Sequence, residues 1–165
     1  MTLYRPIVAA LGFVLSADRT RVLMVQRTRD GDTHAGKYNG LGGKLEPDED
    51  IGTCLTRELR EELGIEVTSA RLRGTVNWPG FGKVGESWFG FVFVVDAYEG
   101  VVPERNDDGP LHWVEIDRVG ELPLWEGDAH FLPLVFDDSV AMFHAVLPYD
   151  DDNRLVSASV VVERR

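Results

Sequence analysis

Ile7 to Leu15 carries no polar side chain, and Ala17-Asp18-Arg19-Thr20 divides this run from a second apolar stretch, Val22 to Gln26. The two read as strands joined in an N-terminal hairpin. A glycine-rich loop follows, through Gly31, Gly36, Gly40, Gly42 and Gly43. From about Glu49 the period changes. Leu55, Leu59 and Leu63 recur every four residues, Asp48 or Asp50 can cap the start, and Gly64 is a natural stop, which predicts a helix over 49–63. Val67–Trp78, Ser87–Val95 and Leu111–Ile116 read as strands. Asp128–Phe136 reads as a second helix, interrupted or entered at Pro133, and Val140–Leu147 and Leu155–Val162 close the chain as strands. Two helices among many strands, without regular alternation, predict a mixed sheet with helices packed on its faces.

The chain has 165 residues, enough for one domain with a real core. Its net charge of -11 argues against binding to duplex nucleic acid, which needs a basic face to release counterions. A polyanionic substrate would therefore need a metal ion to bring positive charge. Cys54 is the only cysteine, so neither an intrachain disulfide nor a cysteine-based zinc site is available, and a cytoplasmic setting fits. Pro6, Gly12 and the lone basic residue ahead of the run make Ile7–Leu15 a strand rather than a secretory signal. No stretch reaches the roughly 20 apolar residues of a membrane helix, so no membrane partner is expected.

The densest chemistry lies between Gly43 and Ile65, GKLEPDEDIGTCLTRELREELGI. At 100° per residue Glu58, Glu61 and Glu62 fall within an arc of roughly 100°, so three carboxylates leave the helix on one side and can converge on a site a few ångströms across. Such charges repel one another unless a cation compensates, and hard oxygen ligands are what Mg²⁺ or Mn²⁺ prefers. For the REELG run alone, a solvated face paired with Arg57 and Arg60 is the competing account. Gly43 and Glu49 in register with that run shift the balance to a metal site.

Gly43, Glu49, Arg57-Glu58-Leu59, Glu61-Glu62, Gly64 and Ile65 together resemble the Nudix box, with no departure at a defining position. A chance match in a chain of this length has a probability on the order of 10⁻⁷ or below. The resemblance implies a Nudix hydrolase: an α/β fold, an α/β/α sandwich with a mixed β-sheet, as a single domain over residues 1–165. It also implies that Glu58, Glu61 and Glu62 hold the metal with the Gly43 carbonyl, that one glutamate takes a proton from water, and that Arg57 orients Glu49. Which carboxylate is the base stays open. A further acid often reaches the metal from the loop before the strand bearing Trp113. Asp108 is the first candidate, with Asp107 and Glu104 behind it.

Two segments, His34 to Lys44 and Leu124 to Pro133, resemble the MutT-type branch that hydrolyses oxidised purine nucleoside triphosphates. By that resemblance Asn39 reads a purine edge, Trp125 stacks on the base, Asp128 hydrogen-bonds it, and Phe131 is an apolar wall. Where those relatives carry two adjacent aspartates, this chain has Gly127-Asp128, with Glu126 displaced by one. Arg27 and Lys44 are favoured over Arg29 and Lys37 for meeting phosphates. His34, His112, His130 and His144 show no ligand spacing.

The expected reaction is Mg²⁺-dependent hydrolysis, with Mn²⁺ as an alternative ion, of a nucleoside triphosphate such as 8-oxo-dGTP to the monophosphate and pyrophosphate. Another nucleotide pyrophosphatase, acting on dinucleoside polyphosphates, nucleotide sugars or nucleoside diphosphates, is the second reading. A nucleotide-sensing module without catalysis is a third, from a different class. Monomer and homodimer are equally open.

Overall fold

The structure, a computed structural model, describes residues 1–83 and 85–165. Its strands are β1 (Ile7–Val14), β2 (Arg21–Gln26), β3 (Tyr38–Asn39), β4 (Leu41–Lys44), β5 (Glu66–Trp78), β6 (Trp88–Glu99), β7 (Arg105–Asn106), β8 (Gly109–Glu115), β9 (Val140–Val146) and β10 (Ser159–Arg164). The helices are α1 (Ile51–Leu63) and α2 (Leu132–Val135), with 3-10 turns at Ile116–Glu121 and Glu126–His130. A mixed sheet runs β10-β9-β5-β6-β1-β4, and a four-stranded sheet runs β3-β2-β8-β7. In the larger sheet β1 is parallel to β6 and β5 to β9.

Side-chain alternation puts a core on each side of β1 and β6. Ala10, Val14, Phe93 and Val95 face Cys54, Leu55, Leu59 and Leu63 of α1. Phe13, Leu15, Val92 and Val94 face Phe131, Leu132 and Val135 around α2. The result is the expected α/β/α sandwich. Burial of each of the three α1 leucines contributes about 1.5–3 kcal/mol, so packing rather than propensity sets the helix in place.

Capping then fixes where α1 begins and ends. Asp50 accepts from Thr53 N at 2.9 Å, and Gly64, at φ 68°, donates to Arg60 O at 2.9 Å. The helix therefore starts at Ile51, and Glu49 stands just outside it, free to bond elsewhere.

The expected N-terminal hairpin forms only at its tip. Leu15 and Val22 make a single bridge, after which β1 and β2 enter different sheets. Both edges of β1 are already taken, by β6 and β4, so β2 pairs with β8 and β3 instead. The glycine-rich loop likewise contains two short strands, β3 and β4.

The second helix is also broken. Residues 126–130 form a 3-10 turn and only 132–135 are α-helical. Pro133 has no N–H to carry a helical ladder back into that turn, and it sits at the start of α2 where no such bond is needed. At the other end of α2, the buried Arg73 donates to the carbonyls of Val135 (3.0 Å), Asp137 (2.8 Å) and Val140 (3.0 Å). Among the described residues no helix is long and apolar enough to cross a membrane.

Candidate active site

Two α1 carboxylates and the chain ahead of the helix meet at Arg57. Its Nε donates to Glu49 Oε2 at 2.9 Å and its Nη2 to Glu49 Oε1 at 2.6 Å. Nη2 also reaches Lys44 O at 3.1 Å, and Nη1 reaches Glu58 Oε1 at 2.9 Å and Glu61 Oε2 at 3.3 Å. A planar guanidinium suits this fork, which a lysine could not reproduce. The Arg57 hydrogen bonds hold the Glu49 carboxyl down at about 2, so Glu49 is an anion at every physiological pH.

Gly43 of β4 lies directly against α1. A Cβ built there would fall 2.3 Å from the Glu58 carboxyl carbon, so only glycine lets this backbone approach the carboxylate. Glu62 is partly buried, with the Gly42 backbone amide beside its carboxyl. Burial first, then the charges of Glu58, Asp108 and Glu61, push its carboxyl up to about 8. Asp108 comes from the turn between β7 and β8, whose backbone is held by Asn106 Oδ1 at 3.0 Å from Asp108 N. Glu61, Glu62, Asp107 and Asp108 line one acidic hollow with Asn106.

The carboxylates leave α1 on one side, yet they do not close on one point. Among the described residues no three His, Cys, Asp or Glu side chains are arranged so that they could hold one ion. Arg57 draws Glu58 and Glu61 to itself, while Glu62 turns towards the Gly42 amide. The donor set nevertheless fits a hard divalent cation: oxygen only, anionic, and including Glu62, a carboxylate raised by burial and then by its acidic neighbours.

From this acidic end a cleft of about 1030 Å³ runs to an aromatic end. Glu62, Asp108 and Gly43 line one part, and Asn39, Trp125, Asp128 and Phe131 line the other. Arg27 and Lys44 lie along it as well; Arg27 pairs with Asp32 at 2.7 Å, and Lys44 Nζ sits 5.4 Å from the Trp88 ring centroid. Asn39 Oδ1 accepts from Gly40 N at 2.9 Å, which leaves the side-chain amide N–H₂ free to donate. Asp128 is only 8% exposed, and burial pushes its carboxyl up to about 7, against the pull of the Trp125 amide and Lys37. Phe131 is 1% exposed and stacks on Phe143, so it serves the core as much as the cleft.

Several cleft residues gave no signal in the sequence. Trp125 Nε1 donates to His34 Nδ1 at 2.9 Å, and the two rings meet edge-on at 5.2 Å. Phe81 touches both, stacked on His34 at 5.5 Å and edge-on to Trp125 at 5.7 Å. Trp78 and Tyr149 complete this wall. His34 therefore has a partner that metal-ligand spacing could not reveal, and the nearest local hint was the run Trp78-Pro79-Gly80-Phe81 of two aromatics around a turn.

This fold and site define a protein in which Glu62 of α1 lines one cleft with Gly43 and Asp108, beside a cluster of carboxylates gathered by Arg57. The NUDIX domain model matches residues 5–135, and the chain belongs to the Nudix hydrolase family, which acts on phosphoric anhydride bonds of nucleotides and generally uses divalent metal ions. The chain is 31% identical over 147 residues to the uncharacterized Nudix hydrolase YvcI of Bacillus subtilis, covering 87% of this chain and 88% of that protein. It is 33% identical over 125 residues to the oxidized purine nucleoside triphosphate hydrolase of Danio rerio, covering 76% and 78%. Among solved structures, the MutT protein from Bacillus halodurans superposes with a TM-score of 0.80 at 27% identity, over 93% of this chain and 97% of that one.

Proposed function

We propose that the protein hydrolyses a purine nucleoside triphosphate, with an oxidised base such as 8-oxo-dGTP preferred, to the monophosphate and pyrophosphate. The observation that carries this reading is the single cleft with acids at one end and Asn39, Trp125 and Asp128 at the other. Similarity to the Danio rerio oxidized purine nucleoside triphosphate hydrolase supports the same substrate class. Residues 1–165 act as one Nudix domain, since β9 and β10 hydrogen-bond into the same sheet as β1.

In this reading Glu58, Glu61 and Glu62, the Gly43 carbonyl and Asp108 hold Mg²⁺, or Mn²⁺ in its place. The ion, when bound, offsets charge on the phosphates and acidifies a water. Arg57 keeps Glu49 and Glu58 in fixed orientation, so the carboxylates do not have to be ordered during turnover. One of the box glutamates accepts the proton of the attacking water, while Arg27 and Lys44 flank the phosphate chain. At the far end Trp125 stacks on the base, Asn39 and Asp128 hydrogen-bond its edge, and Phe131 backs the pocket.

A second reading rests on size. The cleft lies at the top of the range of about 300–1,000 Å³ usual for small ligands, which leaves room for a nucleoside diphosphate joined to a further group. A panel of nucleoside triphosphates, nucleotide sugars and dinucleoside polyphosphates, with separate detection of pyrophosphate and orthophosphate, decides between them. Release of pyrophosphate from an oxidised purine triphosphate at the highest kcat/KM supports the first reading. Preference for a nucleotide sugar or dinucleoside polyphosphate overturns it.

A further inference from the structure

Residues 136–165 lie beyond the segment that the family model matches, and they return to the cleft. The connection between β9 and β10 places Tyr149 in its wall. Tyr149 is 6% exposed, its N–H donates to Pro79 O at 2.8 Å, and its ring stands edge-on to Phe81 at 4.9 Å. A buried hydroxyl needs a partner, and here Tyr149 Oη accepts from the backbone N–H of Gly127 at 2.7 Å. Arg154 of the same connection pairs at the surface with the Glu126 side chain at 3.3 Å, so the two segments also meet one residue before Gly127.

Gly127 has no room for a side chain. A Cβ there would lie 2.7 Å from Tyr149 Oη and 3.1 Å from Leu147 Cδ1. The next residue is Asp128, whose Oδ2 is taken by Trp125 N at 3.1 Å, which leaves its other oxygen for a ligand. The carboxyl's direction thus depends on a short turn fixed from both sides, by Trp125 before it and by Tyr149 above it.

We propose that Tyr149 is a positioning residue for base recognition: its hydroxyl pins Gly127 so that the Asp128 carboxyl meets the base at a fixed place, and the same contact excludes a side chain from position 127. The proposal rests on the nucleotide reading above. One carboxyl rather than an adjacent pair then reads the base, so its placement carries the discrimination that a second acid would otherwise share.

The test combines Tyr149→Phe, Gly127→Ala and the double variant, using the full chain and purine and pyrimidine nucleoside triphosphates. Loss of one net hydrogen bond predicts that Tyr149→Phe raises KM for the preferred purine about 3- to 10-fold, with kcat nearly unchanged and pyrimidine KM unmoved. Gly127→Ala should be worse than Tyr149→Phe alone and should be partly rescued in the double variant, because removing the hydroxyl removes the clash. Backbone exchange at Gly127 and Asp128 should quicken in Tyr149→Phe while exchange in α1 stays as it was. Additive losses, an equal rise in KM for all bases, or unchanged exchange at Gly127 each overturn the proposal. If the wild type hydrolyses no nucleoside triphosphate, the functional reading fails by itself. The exchange rates and the non-additivity of Gly127→Ala and Tyr149→Phe in unfolding midpoint then still decide the positioning role.

Discussion

Arg57 grips Glu49 through two parallel hydrogen bonds, of 2.9 and 2.6 Å, although they stand eight positions apart and only Arg57 lies in the helix. The pair ties the chain before α1 to the carboxylates on it. Arg57→Lys retains the charge but loses the fork, so turnover should fall by about 10- to 100-fold while the melting temperature changes little. Steady-state kinetics with a thermal melt check this. Activity within twofold of wild type would mean that the arginine only decorates the helix.

Glu62→Gln separates catalysis from stability. A partly buried carboxylate beside Glu58, Asp108 and Glu61 costs folding energy, so the amide should leave the protein as stable as before or more so in the absence of divalent ions. Turnover at saturating Mg²⁺ should nevertheless drop by about 100-fold or more. Loss of both properties would show that the residue serves the fold instead.

Asp128 should leave a signature in the pH dependence of stability. Below its ordinary value of 3.8 the carboxyl is protonated whether the chain is folded or not. Between there and about 7 the unfolded chain ionises while the folded protein keeps its proton, so stability falls as pH rises; above about 7 the loss is constant. Asp128→Asn should reduce this slope, leaving the part that Glu62, raised to about 8, contributes; urea unfolding between pH 4 and 8 measures it. An unaltered slope would place the titration elsewhere.

Trp125→Ala removes the ring that faces the cleft and abuts His34 and Phe81. A lost base stack predicts a rise in KM of about tenfold or more for purine nucleotides and a smaller one for pyrimidines. Equal losses for every base would assign the tryptophan to the fold.

Arg73→Met should unfold the protein at lower temperature, since the carbonyls of Val135, Asp137 and Val140, from the end of α2 to the start of β9, lose a buried donor. Several kcal/mol, or a fall in Tm of roughly 10 °C, is expected. Calorimetry reads it directly, and a shift of less than about 2 °C would contradict it.

What the sequence revealed of these features follows how local they are. The α1 helix, its glycine stop and the one-sided placement of Glu58, Glu61 and Glu62 are written within a few turns of chain, and all were legible. The division into two sheets was not, because it depends on β6 and β4 occupying both edges of β1, from positions far along the chain. Arg73 looked like an ordinary strand residue, since its partners lie about 60 residues ahead. The rest of the aromatic wall escaped for the same reason: His34, Phe81 and Tyr149 join Trp125 from separate connections. Helical geometry predicted that the box carboxylates would share a side. It could not show that Arg57 would draw two of them away from the third.

In the proposed function these acids and this cleft serve one reaction, cleavage of a nucleoside triphosphate between its first and second phosphates. Phosphorus NMR of 8-oxo-dGTP incubated with the protein and Mg²⁺ tests it most directly. Monophosphate and pyrophosphate should form in equal amounts, with no product once EDTA removes the ion and restoration when Mg²⁺ is returned. Orthophosphate with a diphosphate product, or hydrolysis that continues in EDTA, would contradict it.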